Sequence, residues 1–350
     1  MLDNEFYSQD RHGPYQSFDI GDLVLEGGGT LRSCQLAYAT FGVLNAARNN
    51  AILVTTWFAG SSKIMEQAYI GPCRALDPAT WFIVVVNQIG GGLSTSPHNT
   101  TSPAGMGNFP AVTIGDDVVA QERLLRLKFG IESLALVVGC SMGAQQVYEW
   151  AVRFPAKVRR AAPIAGTART TPHDRLYVET LIDAITSDPA WAGGWYPAPH
   201  AVREGLCRHA RQWALMGLSA GFLKAEGWRA AGFSSFDDFL VNFLYAAFLP
   251  HDPNDLICMA RKWIGADVGR HAAGDLAAAL GRIEARTIVM PISSDQFFVT
   301  ADCAAEQMLI PESRLTVMET DWGHIGLFGL DADYVRQVDA ALAGLLAQPA

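Results

Sequence analysis

The run Gly139-Cys140-Ser141-Met142-Gly143 constrains the fold of this chain most, because it joins an apolar stretch to a helical pattern with no loop between them. Leu134 to Val138 is continuously apolar, as in a strand buried on both faces of a parallel sheet. From Ala144 to Phe154, Val147, Trp150 and Ala151 fall at helical offsets, and Pro155 stops the pattern. So sharp a turn between strand and helix holds one residue in a strained backbone conformation and needs small neighbours on both sides. Ser141 is that residue. Its hydroxyl is presented over the sheet edge, where the first amides of the helix can stabilise an oxyanion.

A chain with 33 glycines produces the bare pattern by chance, so its partners decide the matter. Thr287 to Ile292 reads as a short buried strand that runs into Ser293-Ser294-Asp295, and Arg314 to Met318 as another, followed by the loop that carries His324. Nucleophile, acid and histidine therefore follow in chain order, each just past a strand, at the edge where parallel α/β sheets place their sites. Asp321 is the alternative acid, but it sits only three residues before His324 in the same loop. The strand Ala51 to Thr55 opens into Thr56-Trp57-Phe58-Ala59-Gly60-Ser61, and the backbone amide of Phe58 is expected to join that of Met142 as an oxyanion donor.

Ser33 to Phe41, Trp81 to Val86 and Ala161 to Ala165 are further strand candidates, with a helix over Asp116 to Leu127. This alternation predicts an α/β fold with a mostly parallel central sheet flanked by helices. The stretch between Ala165 and Thr287 is far longer than one crossover helix needs and holds five of the nine tryptophans: Trp191, Trp195, Trp213, Trp228 and Trp263. It reads as an inserted helical lid, with an apolar helix over Phe236 to Phe248 suited to cover a pocket or to make a dimer contact. The expected division is a core of residues 1–168 and 285–350 with a lid at 169–284. Gly90-Gly91-Gly92 lacks the order of a phosphate-binding loop and reads as a flexible loop near the site.

A net charge of −9 and the absence of any Lys/Arg run argue against nucleic acid or an anionic membrane as partner. The N-terminus lacks the basic and apolar regions of a signal peptide, and no apolar run reaches membrane-spanning length. Six scattered cysteines without C-x-x-C spacing fit reduced cytoplasmic thiols rather than a zinc site or a disulfide framework; Cys140 is expected to be a small buried apolar residue.

With the Ser141, Asp295 and His324 candidates placed, residues 15 to 345 resemble the homoserine O-acetyltransferase family of the α/β-hydrolase superfamily. The resemblance is carried by Gly71 to Asp77, Asn87, Phe109 to Ile114, Gly139 to Gln146 with Glu149-Trp150-Ala151, Asp188 to Gly194, Asp295 and Gly323-His324. It implies an α/β-hydrolase fold with an inserted helical lid, a serine that is acylated and then deacylated by a second substrate, and Asp295 orienting His324. Three departures bear on the substrate: Ile325 follows the histidine where the amino-acid acyltransferases usually carry aspartate, Thr56 replaces their histidine, and Met216-Gly217-Leu218-Ser219 replaces a Tyr-Arg pair. A pocket without those groups binds homoserine poorly, because unpaired charges in a closed site cost several kcal/mol. The chain thus resembles the ester-hydrolysing branch.

The expected activity is hydrolysis of short-chain, acetyl-type esters of apolar alcohols through an acyl-Ser141 enzyme, in a pocket walled by Trp57, Phe297, Phe298 and Ile325. No metal or cofactor is expected; the protein is expected to be a cytoplasmic homodimer whose partner is a small-molecule ester. The alternatives are an O-acyltransferase using acyl-CoA as co-substrate on an alcohol other than homoserine, and a non-catalytic binding protein on the same scaffold.

Overall fold

The computed structural model describes residues 1–349, and its centre is one eight-stranded sheet. In chain order the strands are β1 (Gln16–Asp19), β2 (Gln35–Phe41), β3 (Ala51–Thr55), β4 (Phe82–Val86), β5 (Leu136–Cys140), β6 (Arg160–Ile164), β7 (Arg286–Val289) and β8 (Ser313–Leu315). Their order across the sheet is β1-β2-β4-β3-β5-β6-β7-β8, with β2 alone running against the rest. The central strands β3, β4, β5 and β6 are buried along their whole length, because helices cover both faces.

The two faces divide the apolar residues of each strand by alternation. Leu53, Val84, Val86 and Val137 pack with Val118 and Leu124 of α2 (Ile114–Phe129) and Val147 and Trp150 of α3 (Met142–Arg153). Ile52, Val54, Ile83, Val85, Leu136 and Val138 pack on the other side, against Met65 of α1 (Ser62–Tyr69) and against Tyr334, Val338 and Leu342 of α8 (Ala332–Leu346). Helix α2 starts where Thr113 and Asp116 cap each other reciprocally and stops at Gly130 in the left-handed region, so its length is set locally.

Between β6 and β7 lie α4 (Pro172–Thr186), α5 (Arg203–Gly217) and α6 (Pro253–Ile264), which share a separate apolar cluster with Phe58, Met142, Phe297 and Ile325 of the sheet's C-terminal edge. Helix α7 (Thr300–Gln307) follows β7. The Phe236 to Phe248 stretch is helical with a π turn over Leu240–Tyr245. Elsewhere, no described helix is long and apolar enough to cross a membrane.

The boundaries differ from the sequence reading where backbone chemistry overrides apolarity. Strand β5 runs to Cys140 and α3 begins at Met142, which leaves Ser141 as the whole connection. Strand β7 ends at Val289, and Met290 and Ile292 make only isolated bridges, because Pro291 has no N–H to donate. The glycines at 90–92, expected to be a flexible loop near the site, have Gly90 and Gly92 buried. They form a buried turn tied by Ser96 and Asn99, and a Cβ on Gly92 would fall on the Tyr7 ring.

Leu53 is fully buried in the middle of β3, so Leu53→Ala is expected to cost about 2–5 kcal/mol, read as a lower midpoint of urea unfolding. A change below about 1 kcal/mol would mean that the sheet does not pack as described.

Candidate active site

Ser141 takes φ 58° and ψ −124°, a conformation that L-residues rarely adopt and that costs on the order of 1–3 kcal/mol. The flanking glycines leave room for it. A Cβ on Gly139 would lie 1.9 Å from Thr55 Oγ1, and one on Gly143 would lie 2.6 Å from the Thr55 carbonyl oxygen. Thr55 in turn donates to the Gly143 carbonyl at 2.9 Å, which clamps the start of α3 to the end of β3.

The structure brings Ser141, His324 and Asp295 together. The Ser141 hydroxyl donates to His324 Nε2 at 2.9 Å, and His324 Nδ1–H donates to Asp295 Oδ2 at 2.6 Å, with the ring tautomer assigned from these two partners. The other carboxylate oxygen, Oδ1, accepts the amides of Phe297 at 3.1 Å and Phe298 at 3.3 Å, so the acid is fixed at both ends. All three side chains are buried. Asp321 stays on the surface.

The loops are clipped to each other as well as to the sheet. Ser294 Oγ donates to the Thr320 carbonyl at 2.5 Å and accepts the Gly323 amide at 3.1 Å, which joins the aspartate loop to the histidine loop. Gly323, at φ 64°, passes so close to the end of α5 that a Cβ would lie 2.7 Å from the Gly217 carbonyl oxygen.

Beside Ser141 and His324 is a cavity of about 30 Å³, walled mainly by Trp57, Phe58, Trp213, Phe248, Ile325 and Phe328. Of the four expected pocket residues, Trp57 and Ile325 are on this wall; Phe297 and Phe298 are not. Their amides turn toward Asp295, and this places both rings behind the imidazole, with centroids 4.3 and 5.7 Å from that of His324. Both rings are fully buried.

Trp213, Phe248 and Phe328 come from separate stretches of chain and were not singled out as pocket residues. The lid's aromatic richness signalled Trp213 and Phe248, and nothing in the sequence signalled Phe328. Trp213 is set by His209, which accepts the indole N–H at 3.1 Å and donates its own Nδ1–H to the Leu181 carbonyl at 3.2 Å; burial lowers the His209 pKa to about 4 and keeps it neutral. A second hollow of about 310 Å³ shares Trp57, Ala59, Phe248 and Phe328 with the small cavity and reaches Arg11 and Lys63 at the rim.

The amides of Phe58 and Met142 donate no hydrogen bond to another group among the described residues. Cys140 is buried beneath the nucleophile, where desolvation pushes its thiol up to about 12, and all six cysteines are free thiols.

The chain is similar to proteins of known activity. Residues 52–212 match the model of the alpha/beta hydrolase fold family. The chain is similar to an ethyl acetate hydrolase of Pseudomonas veronii, 54% identical over 99% of both chains. A homoserine O-acetyltransferase of Thermobifida fusca is 32% identical over 93% of this chain and 92% of its own. Among solved structures, the acetyl esterase MekB superposes with a TM-score of 0.98 at 54% identity, over 99% of this chain and all of the other.

Two outcomes follow from the packing. Gly139→Ala is expected to lower stability by about 1–3 kcal/mol in urea unfolding, since the added Cβ would also lie 2.6 Å from the Gly143 carbonyl oxygen, which is backbone; an unchanged midpoint would contradict the close approach. Iodoacetamide at mildly alkaline pH is expected to label exposed Cys73 and leave Cys140 unlabelled in peptide mapping, and rapid labelling of Cys140 would contradict its burial and raised pKa.

Proposed function

The chain belongs to the α/β-hydrolase family, and from that membership and the site geometry we propose that it is a serine esterase hydrolysing acetyl esters of apolar alcohols. The observation that carries this reading is the continuous hydrogen-bonded path from the Ser141 hydroxyl through His324 to Asp295, opening on an apolar cavity. Ser141 Oγ attacks the ester carbonyl as His324 Nε2 takes its proton, and the amides of Phe58 and Met142 receive the negative charge. His324 then hands the proton to the departing alcohol. Water, deprotonated by the same nitrogen, releases acetate.

Substrate size follows from volume. A cavity of about 30 Å³ has room for a group the size of a methyl, and this favours acetyl over longer acyl chains. Ile325 puts an alkyl group where a substrate ammonium would need a carboxylate, which disfavours amino-acid alcohols such as homoserine. The larger hollow suits the alcohol. The chemistry calls on no cofactor, and the overall negative charge fits a small-molecule ester as the partner instead of nucleic acid or a membrane. Free thiols support a cytoplasmic location, and the exposed Leu215, Phe236 and Val241 of the lid support a homodimer.

The test uses nitrophenyl acetate, nitrophenyl hexanoate and acetyl-CoA on the purified protein. The acetate is expected to exceed the hexanoate in kcat/KM by about 100-fold or more, with slow CoA release, and Ser141→Ala to lower kcat by roughly 10⁴–10⁶-fold. Fast CoA release with slow ester turnover would instead identify an acyl-CoA-dependent transferase. Undiminished turnover in Ser141→Ala would remove the serine mechanism, and absence of turnover on every ester would leave a binding protein.

A further inference from the structure

The buried polar groups around Thr56 form a network that the catalytic steps above do not use. Gln88, just past β4, is 2% exposed, and its Nε2 donates to the Thr56 carbonyl at 2.6 Å and to the Trp57 carbonyl at 3.4 Å. Gln146 of α3 donates to the same Thr56 carbonyl at 3.1 Å, and its own oxygen accepts from Gln121 of α2 at 2.6 Å. Lys262 of α6, also buried, holds the far end of Gln88: its Nζ donates to Gln88 Oε1 at 3.4 Å, to the Ile89 carbonyl at 2.6 Å and to Asp117 Oδ2 at 2.5 Å.

The Trp57 carbonyl and the Phe58 N–H belong to one peptide group. That group is planar and trans, so its N–H points opposite to its C=O. Whatever holds the Trp57 oxygen therefore sets the direction of the Phe58 N–H. Donation to the carbonyl also polarises the amide, and Lys262, itself paired with the Asp117 carboxylate, fixes the other end of Gln88. We propose that Gln88, anchored by Lys262, is a positioning residue that aims and polarises the Phe58 amide of the oxyanion hole, while Gln146 steadies the preceding peptide through the Thr56 carbonyl. The lid helix α6 is thereby coupled to the transition state without touching substrate. This rests on the esterase reading, in which the Phe58 amide receives the oxyanion.

The experiment compares wild type with Gln88→Met and Gln146→Met, two apolar replacements of similar length on different elements, using nitrophenyl acetate turnover and inhibition by trifluoroacetone, which adds to a serine as a stable oxyanion. For Gln88→Met, kcat is expected to fall about 10–100-fold with KM within about 2-fold of wild type, and the trifluoroacetone Ki to rise by the same factor as kcat falls. Gln146→Met is expected to move kcat and Ki in the same sense by a smaller factor. The pH profile of kcat/KM should keep its shape, since the Ser141–His324 pair is untouched. A structural role alone would lower the unfolding midpoint and leave Ki where it was. Wild type that trifluoroacetone inhibits, with Ki unchanged in both variants, overturns the positioning role; wild type that it does not inhibit overturns the oxyanion reading beneath it.

Discussion

Everything at this site depends on the backbone of Ser141, held at φ 58° and ψ −124° between the last residue of β5 and the first of α3. Left to itself, the peptide would relax into an ordinary turn and gain on the order of 1–3 kcal/mol. It cannot, because β5 is paired on both sides: Thr55 opposite Gly139 and Ile164 opposite Cys140 leave no slack in the strand, and the Ser141 amide is itself bonded to the Ile164 carbonyl at 2.9 Å. The helix end is equally fixed, by Thr55 on the Gly143 carbonyl. Sheet burial thus stabilises one strained residue, and that residue presents a hydroxyl where neighbouring loops can reach it.

The acid and the base arrive from the loops after β7 and β8 by the same logic. Asp295 gains two backbone donors from the turn it begins, and Ser294 ties that turn to the histidine loop. The carboxylate, imidazole and hydroxyl are aligned before any substrate enters, so little reorganisation is left for the reaction to drive. The lid contributes Trp213 and Phe248 to the cavity wall, while Phe297 and Phe298 of the core pack against the imidazole.

Much of this was legible in the sequence because it rests on short-range rules. An apolar strand running into Gly-x-Ser-x-Gly and a helix specifies the turn, and Asp295 and His324 following later strands specify their side of the sheet. The core strands were legible for the same reason; Trp81 to Val86 has no polar residue to interrupt it. What was not legible depends on where distant segments meet. Two aromatics after Asp295 look like pocket wall, yet capping of the carboxylate by their amides turns the rings behind the histidine. Trp213 and Phe328 face the same cavity although more than a hundred positions separate them, and no local pattern reports that. Gln88 and Gln146 read as ordinary polar residues until burial shows that every hydrogen bond they make is to the protein interior.

In the proposed reaction Ser141 carries the acyl group of an acetyl ester as a covalent intermediate. Rapid-quench mass spectrometry of the protein mixed with nitrophenyl acetate tests it most directly. A gain of one acetyl group is expected within a turnover, located on the peptide containing Ser141 and lost at a rate that matches steady-state hydrolysis. Turnover without any adduct, or an adduct on another residue, would contradict it.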